Sequence, residues 1–163
     1  MQLSGMIRTT CPPARLVDLL SDPKVLAAMM PAGSDLRQTA TGEFAFTIRK
    51  ALGPLKFNMP GTLILTRLGD GHDRHMTAHA SHLIGGKVDV TLDIKVTDRP
   101  AVTIVNYEGE LTATGLANRL LGENSERAQT ALRGFFVRLK RQAEGDDATP
   151  PQTKAAPKAA RKG

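Results

Sequence analysis

The sequence is poor in the residues that most often mark secreted, membrane-spanning or base-stacking proteins. It has no tryptophan, one tyrosine, five phenylalanines and one cysteine among 163 residues. A lone cysteine excludes an internal disulfide, and six aromatic side chains make a poor stacking platform for nucleic-acid bases. No segment reaches the roughly 18 to 20 consecutive apolar residues that cross a bilayer, and no basic segment and apolar run open the chain as in a signal peptide. We therefore expect a cytoplasmic protein that binds no nucleic acid.

Positive charge is in excess, with a formal net charge of +6 at pH 7. The last 20 residues carry four basic and three acidic side chains, so 18 basic and 13 acidic side chains remain before them. The excess therefore belongs mainly to the body of the chain. A basic surface favours acidic partners or anionic lipid headgroups.

A short apolar helix with clear ends follows the first strand-like segment. Ser21 or Asp22 can cap its first amides, Pro23 suits its first turn, and Pro31 with Gly33 ends it. A preceding helix is predicted from Pro12 to Leu20 by the same use of proline. The apolar residues of the second helix, too many for a surface helix, are Val25, Leu26, Met29 and Met30.

Alternation of apolar and polar residues predicts strands on both sides of these helices. Leu3, Gly5 and Ile7 alternate in the first strand, and residues 87–97 alternate strictly, which indicates one wet face. Short Gly-rich and Asp-rich turns between the segments favour an antiparallel meander. The predicted strands after the helices are residues 36–38, 43–50 with Phe44, Phe46 and Ile48 inward, 55–67, 75–84, 87–97 and 101–112.

The dry face of such a sheet needs a cover, and the last helix supplies one. Helical periodicity runs from Gly115 to about Arg141, close to seven turns. The predicted fold is α+β of the helix-grip type: a curved antiparallel sheet wrapped around a long C-terminal helix, with two short helices after the first strand. The apolar positions of the long helix are Leu116, Leu120, Ala128, Ala131, Leu132, Phe135 and Leu139.

The composition changes after this helix. Residues 143–163 contain no Val, Ile, Leu or aromatic side chain, so nothing there can offset the entropy of ordering. We predict one domain at residues 1–142 and a disordered basic tail rich in Lys, Ala and Pro at residues 143–163.

Two groups of polar residues invite a chemical interpretation. His72, His75, His79 and His82 could share a helix face, but residues four apart on a strand lie about 13 Å apart, so we predict no metal site.

Glu108 lies beside Tyr107 and on the same strand face as Glu110. A buried pair such as Glu108 and Tyr107 would suit an enzyme, a cyclase or hydrolase, whereas a solvated strand face is the simpler interpretation.

The apolar side chains suggest a ligand site. Methionines adapt to irregular and exchangeable partners, and pockets are mostly apolar. We predict an apolar cavity between sheet and long helix; ordinary core filling and a protein-interaction surface are the alternatives. The residues predicted to line it are Met29, Met30, Phe57, Met59, Leu116 and Leu120.

Several segments resemble one family. The chain is similar to the CoxG subunit of carbon monoxide dehydrogenase, of the START-like SRPBCC superfamily, over about residues 1–141. It departs at Leu16 and Val17, where members usually carry Trp, and at Met29 or Met30, where they carry Cys. The segments that carry the resemblance are Met1–Gly5, Ser21–Leu26 running into Pro31–Gly33, Leu52–Lys56 and Gly115–Ala117.

The resemblance implies a small non-catalytic accessory protein without a cofactor of its own. Its cavity would take a lipid or isoprenoid quinone, and its partner would be a molybdenum hydroxylase-type dehydrogenase. Some members end in a hydrophobic anchor, whereas this chain ends in polar Lys, Ala and Pro residues. Any contact with the inner face of the membrane would then be peripheral and driven by charge.

Overall fold

The computed structural model describes residues 1–30, 33–52, 55–82, 86–115 and 125–145; at Met29, 50–52, 55–57, Ser125 and Arg127 the description covers the backbone alone. The chain begins with a strand and two short helices, continues through six strands and closes with a helix. The elements in order are β1 (Gln2–Thr9), α1 (Pro13–Leu20), α2 (Pro23–Met29), β2 (Asp35–Ala40), β3 (Glu43–Leu52), β4 (Leu55–Arg67), β5 (Arg74–His82), β6 (Gly86–Arg99), β7 (Val102–Ala113) and α3 (Ser125–Ala143).

All seven strands form one antiparallel sheet in the order β1-β7-β6-β5-β4-β3-β2. Strands β2 to β7 are neighbours in sequence as well as in space, as short turns require. The first strand closes onto the last, with Leu3 opposite Gly109 and Ile7 opposite Val105. The predicted meander and the α+β helix-grip architecture are confirmed.

The start of α2 follows the predicted chemistry. The carboxylate of Asp22 accepts a hydrogen bond from the amide of Lys24 at 2.9 Å, and Pro23 occupies the first turn. Met30 already has an extended backbone, with φ −76° and ψ 160°, so the helix ends one residue earlier than predicted. The capping carboxylate satisfies one of the free amides that every helix start presents.

Helix α3 packs on the sheet through Phe136, which is fully buried. The Phe136 and Tyr107 rings stack with centroids 3.9 Å apart and planes 6° from parallel. The predicted apolar stripe was therefore wrong in part: Ala131 is exposed and Phe135 is only partly buried, because the helix face that meets the sheet is centred on Phe136. The helix also runs to Ala143, a buried residue two positions past the predicted end, while residues 116–124 lie outside the described part.

Two glycines let aromatic rings lie flat against the inner face of the sheet. A Cβ on Gly5 would overlap the Tyr107 ring, which comes from the directly opposite position of β7. A Cβ on Gly61 would likewise overlap the ring of Phe46 and the carbonyl oxygen of His79. Removing the side chain at each position makes room for a large ring on a strongly curved sheet.

Candidate ligand-binding site

One half of the space between sheet and helices is closely packed. It lies at the end of the sheet where β1 ends and β7 begins, under α1 and the later turns of α3. We call it the closed half, and its central residues are each about 1% exposed or less: Leu92, Ile94, Val105, Phe136 and Leu139. Side chains buried to this degree give the largest hydrophobic stabilisation per residue.

The other half is apolar, and the described residues cover it only in part. It lies at the opposite end, where β1 begins and β7 ends, and its side chains pack against the core while staying partly exposed. Along β6, Leu92 and Ile94 are buried, whereas Val88 and Val90, on the same face toward this end, are only partly buried, as is Val96 toward the other end. We call this the open half, and it comprises Met30, Ile48, Ala78, Val88, Val90, Ala113, Leu132 and Phe135.

A continuous apolar row crosses the sheet in the open half. Directly opposite residues on six adjacent strands are Leu36, Phe46, Gly61, Ala80, Val88 and Ala113. With strands about 4.8 Å apart, this row extends roughly 24 Å. It carries no charged or hydrogen-bonding side chain. Phe46 and Ala80 are buried within it, whereas Leu36, Val88 and Ala113 keep part of their surface accessible.

The structure places the predicted lining residues unevenly. Met59 is buried opposite Ile48, and Met30 is partly buried just after α2. Met29 and Phe57 lie on α2 and β4, but their side chains fall outside the described part, as do Leu116 and Leu120 altogether. The pocket role of all six residues therefore stays a prediction.

Sequence reasoning did not single out the valines of β6, Val88 and Val90, which stay partly exposed. The strict alternation of β6 assigned Val88 and Val90 to the dry face, but only the extent of helical cover decides which dry-face residues stay accessible. That extent is a tertiary property and leaves no periodic signal in the strand.

Two polar groups lie at the rim of the open half. The Ser34 hydroxyl is buried and has no hydrogen-bond partner in the part of the chain that the structure describes. His82 ends β5 and, by alternation, shares the inner face with Ala80. The prediction of four histidines on a polar strand face therefore needs correction at His82, and also at His72, which lies in the turn before β5.

The remaining strand histidines face outward and pair with aspartates on β6. His75 Nδ1 lies 2.7 Å from Asp93 Oδ1, and His79 Nδ1 lies 2.5 Å from Asp89 Oδ1. Across the described ranges no three His, Cys, Asp or Glu side chains gather as metal ligands would. His75 and His79 each form a cross-strand pair with an aspartate on the exposed surface.

The acid–base pair considered above is not assembled. Tyr107 is buried on the inner face, whereas its neighbour Glu108 is exposed on the outer face, because successive strand residues point to opposite sides. Burial raises the pKa of the Tyr107 phenol, and the nearby Arg133 charge partly opposes that rise. The phenol therefore keeps its proton near pH 7 and cannot accept one there as a general base. Cys11 is likewise a buried free thiol whose pKa burial raises, which agrees with a packing role.

A concavity lies on the outer face of the sheet rather than under the helix. It encloses about 450 Å³ over β1, β7 and β6. Its side chains are mostly polar or charged, so it does not match the predicted apolar cavity. The outward residues at its walls are Ser4, Met6, Asp93, Lys95, Asn106 and Glu108.

Comparison with solved structures identifies the fold. The chain is similar to a conserved protein from Geobacillus kaustophilus, with a TM-score of 0.71 at 15% identity over 88% of this chain and 95% of that one. It is also similar to TTHA0849 from Thermus thermophilus, with a TM-score of 0.62 at 10% identity over 88% and 97% of the two chains. A third is the STAR-related lipid transfer protein (fragment 25–204) from Xanthomonas axonopodis, with a TM-score of 0.58 at 13% identity over 86% and 84%.

Sequence comparison gives one family. The family model of the carbon monoxide dehydrogenase CoxG subunit matches residues 5–143, which include every described helix and nearly all of the sheet. No curated protein sequence matches the chain. Within the described ranges, no helix is both long and apolar enough to cross a membrane.

Proposed function

The chain belongs to the CoxG family of carbon monoxide dehydrogenase subunits, and we propose that it is a non-catalytic accessory protein whose open half holds an apolar or amphipathic ligand, a lipid or an isoprenoid quinone. In this role it supports a molybdenum hydroxylase-type dehydrogenase, carbon monoxide dehydrogenase-like, or that enzyme's association with the membrane. The family name supports the enzyme partner. The Xanthomonas protein, a STAR-related lipid transfer protein of the same fold, supports the ligand class.

The observation that carries the proposal is the incomplete cover of the open half. Eight apolar side chains there contact the core yet keep part of their surface accessible. Burying apolar surface is worth about 25 cal/mol per Å², so a ligand that covers these side chains gains affinity from each of them. The apolar row across six strands favours an elongated ligand over a compact one.

The test uses two neighbouring residues of β6 that face opposite ways. Val90→Gln places an amide in the open half, whereas Thr91→Gln places the same group on the exposed outer face. We expect Val90→Gln to weaken uptake of a fluorescent lipid or of a prenylated quinone, and Thr91→Gln to leave uptake unchanged. Equal uptake by both variants at equal stability would contradict a site in the open half.

A peripheral contact with anionic lipid is supported by the charge of α3. Its basic side chains outnumber the acidic ones at its ends, Glu126 and Glu144, and three of them are exposed. Each basic residue near an anionic bilayer contributes about 1 kcal/mol of attraction. The basic side chains described on α3 are Arg133, Arg138, Lys140 and Arg141.

This contact is tested by charge reversal on α3 and on two strands. The double variant Lys140→Glu with Arg141→Glu should lose cosedimentation with phosphatidylglycerol vesicles, whereas the double variant Arg37→Glu with Arg67→Glu, at exposed positions on β2 and β4, should retain most of it. Binding to phosphatidylcholine vesicles should be weak for all forms. Equal losses in both variants would point to net charge rather than to α3.

A further inference from the structure

We infer that Ser34 is a specificity-determining residue, and that its hydroxyl donates a hydrogen bond to an oxygen atom at the polar end of the ligand. The inference rests on the proposed function, because it concerns a ligand in the open half. It narrows that ligand to molecules with a carbonyl-type oxygen, which quinones and acyl lipids share.

The Ser34 hydroxyl is buried without a hydrogen-bond partner among the described residues. Its oxygen is shielded from solvent, and the described residues supply no donor or acceptor within hydrogen-bond distance. Nearly all buried polar groups in proteins are hydrogen-bonded, so each exception needs a reason. A hydroxyl that has lost its water and gained no partner is stabilised by any ligand oxygen that reaches it.

The residues on either side of Ser34 both contact Arg49 of β3. Arg49 Nη1 donates a hydrogen bond to the carbonyl oxygen of Gly33 at 3.0 Å, and Arg49 also lies 2.5 Å from the carboxylate of Asp35. Both contacts join the segment to β3. These contacts restrain the segment that carries the hydroxyl, which lowers the entropy cost of using it in binding.

Ser34 faces the same side of the sheet as Leu36. Asp35 is exposed and reaches Arg49, whereas Leu36 packs against the core. Because side chains alternate along an extended chain, Ser34 lies on the side of Leu36, at one end of the apolar row that Leu36 begins. A ligand chain along that row would bring its polar end to this position.

Of two ligands of equal shape, the Ser34 hydroxyl favours the one that carries a hydrogen-bond acceptor. A serine hydroxyl donates one hydrogen bond and can rotate to meet an acceptor. A binding site with a buried donor discriminates against a molecule that lacks the acceptor, because the donor then stays unpaired. A quinone or ester should bind more tightly than the hydrocarbon of the same outline.

The experiment measures affinities of the full chain for two matched pairs of probes. One pair is a prenylated naphthoquinone and the corresponding prenylated naphthalene, and the other is a long-chain methyl ester and an alkane of equal length. Ser34→Ala removes the hydroxyl and Ser34→Thr keeps one. Ser4→Ala, on the exposed outer face of β1, is the control.

We expect Ser34→Ala to weaken binding of the oxygen-bearing probe of the preferred pair about five- to tenfold, the range of one net hydrogen bond. Its hydrocarbon counterpart should change less than twofold, Ser34→Thr should recover most of the loss, and Ser4→Ala should change nothing. An effect in the naphthoquinone pair indicates a quinone ligand, and an effect in the ester pair indicates an acyl lipid. The melting temperature of Ser34→Ala should stay level or rise, since an unpaired hydroxyl is removed.

Two results would overturn the inference while leaving the proposed function standing. One is an equal change for both members of a pair in Ser34→Ala, and the other is a lower melting temperature, which would reveal a structural hydrogen bond. Failure of the unmodified protein to bind any of the four probes would instead overturn the proposed function and, with it, the role of Ser34.

Discussion

The closed and open halves of the interior share one sheet and one set of apolar residue types, and they differ in cover. Leu92 and Ile94 are each 1% exposed, whereas Val88 and Val90, earlier on the same face of the same strand, remain partly exposed. The difference separates a half whose apolar side chains are buried from a half whose apolar side chains the described residues cover only in part.

The largest effect is expected from Phe136→Ala in the closed half. The variant removes a fully buried ring that stacks on Tyr107 and should lower the free energy of unfolding by about 3 to 5 kcal/mol. Leu132→Ala, on the same helix but in the open half, should cost less than half as much. Urea unfolding followed by circular dichroism measures both, and similar losses would mean that the two halves are packed alike.

A smaller effect is expected from Gly61→Ala, which tests the curvature of the sheet at the open half. The new Cβ would overlap the His79 carbonyl oxygen and the Phe46 ring, so we expect a loss of about 1 to 3 kcal/mol. Gly71→Ala is the matched control, because a Cβ there meets nothing within 4 Å. If Gly61→Ala is as stable as the unmodified protein, the inner face of the sheet accommodates the added Cβ. The two halves would then differ less in packing than described above.

Alkaline pH should weaken the closed half through Tyr107 and Cys11. Burial raises the pKa of both groups, so the folded state holds their protons more tightly than the unfolded state does. Their contribution to stability is complete below the ordinary values of about 8.5 for Cys and 10 for Tyr, and it is lost as pH rises through the higher folded values. Urea unfolding at pH 8 and pH 10.5 should show the fall, and Cys11→Ala should reduce it. If the free energy of unfolding is the same at pH 10.5 as at pH 8, burial does not raise the pKa of these two groups.

The smallest effect is expected from removing residues 146–163. Those residues supply no large apolar side chain, so neither the melting temperature nor the uptake of a lipid probe should change. The cut is placed after Gly145 because Ala143 is buried. A melting temperature lower by more than a few degrees, or stronger probe uptake, would show that the tail covers part of the open half.

Much of the fold could be predicted because it depends on local patterns. Alternation gave the inward set Phe44 and Phe46, and the Asp22-Pro23 pair gave the start of α2. Helical periodicity could not choose between Phe135 and Phe136, since adjacent apolar residues fit one stripe almost equally well. That choice is made by the Tyr107 ring on a distant strand.

The site was harder to predict because it depends on what is left uncovered. The methionines predicted on α2 and β4 stay a prediction as site residues, because the partial exposure of Val88 and Val90 and the unpaired hydroxyl of Ser34 arise only when the elements are assembled. The proposed pair of Glu108 and Tyr107 could have been rejected from sequence, since neighbouring strand residues face opposite sides.

The stack of Tyr107 on Phe136 makes the unlabelled protein its own optical reporter. The chain has no tryptophan and no second tyrosine, so its tyrosine emission comes entirely from this ring. One ring belongs to the sheet and the other to α3, and any movement of the helix away from the sheet must separate them. Near-ultraviolet dichroism and tyrosine fluorescence, recorded while a non-absorbing ester probe is added, therefore reveal whether the helix moves when the interior is filled.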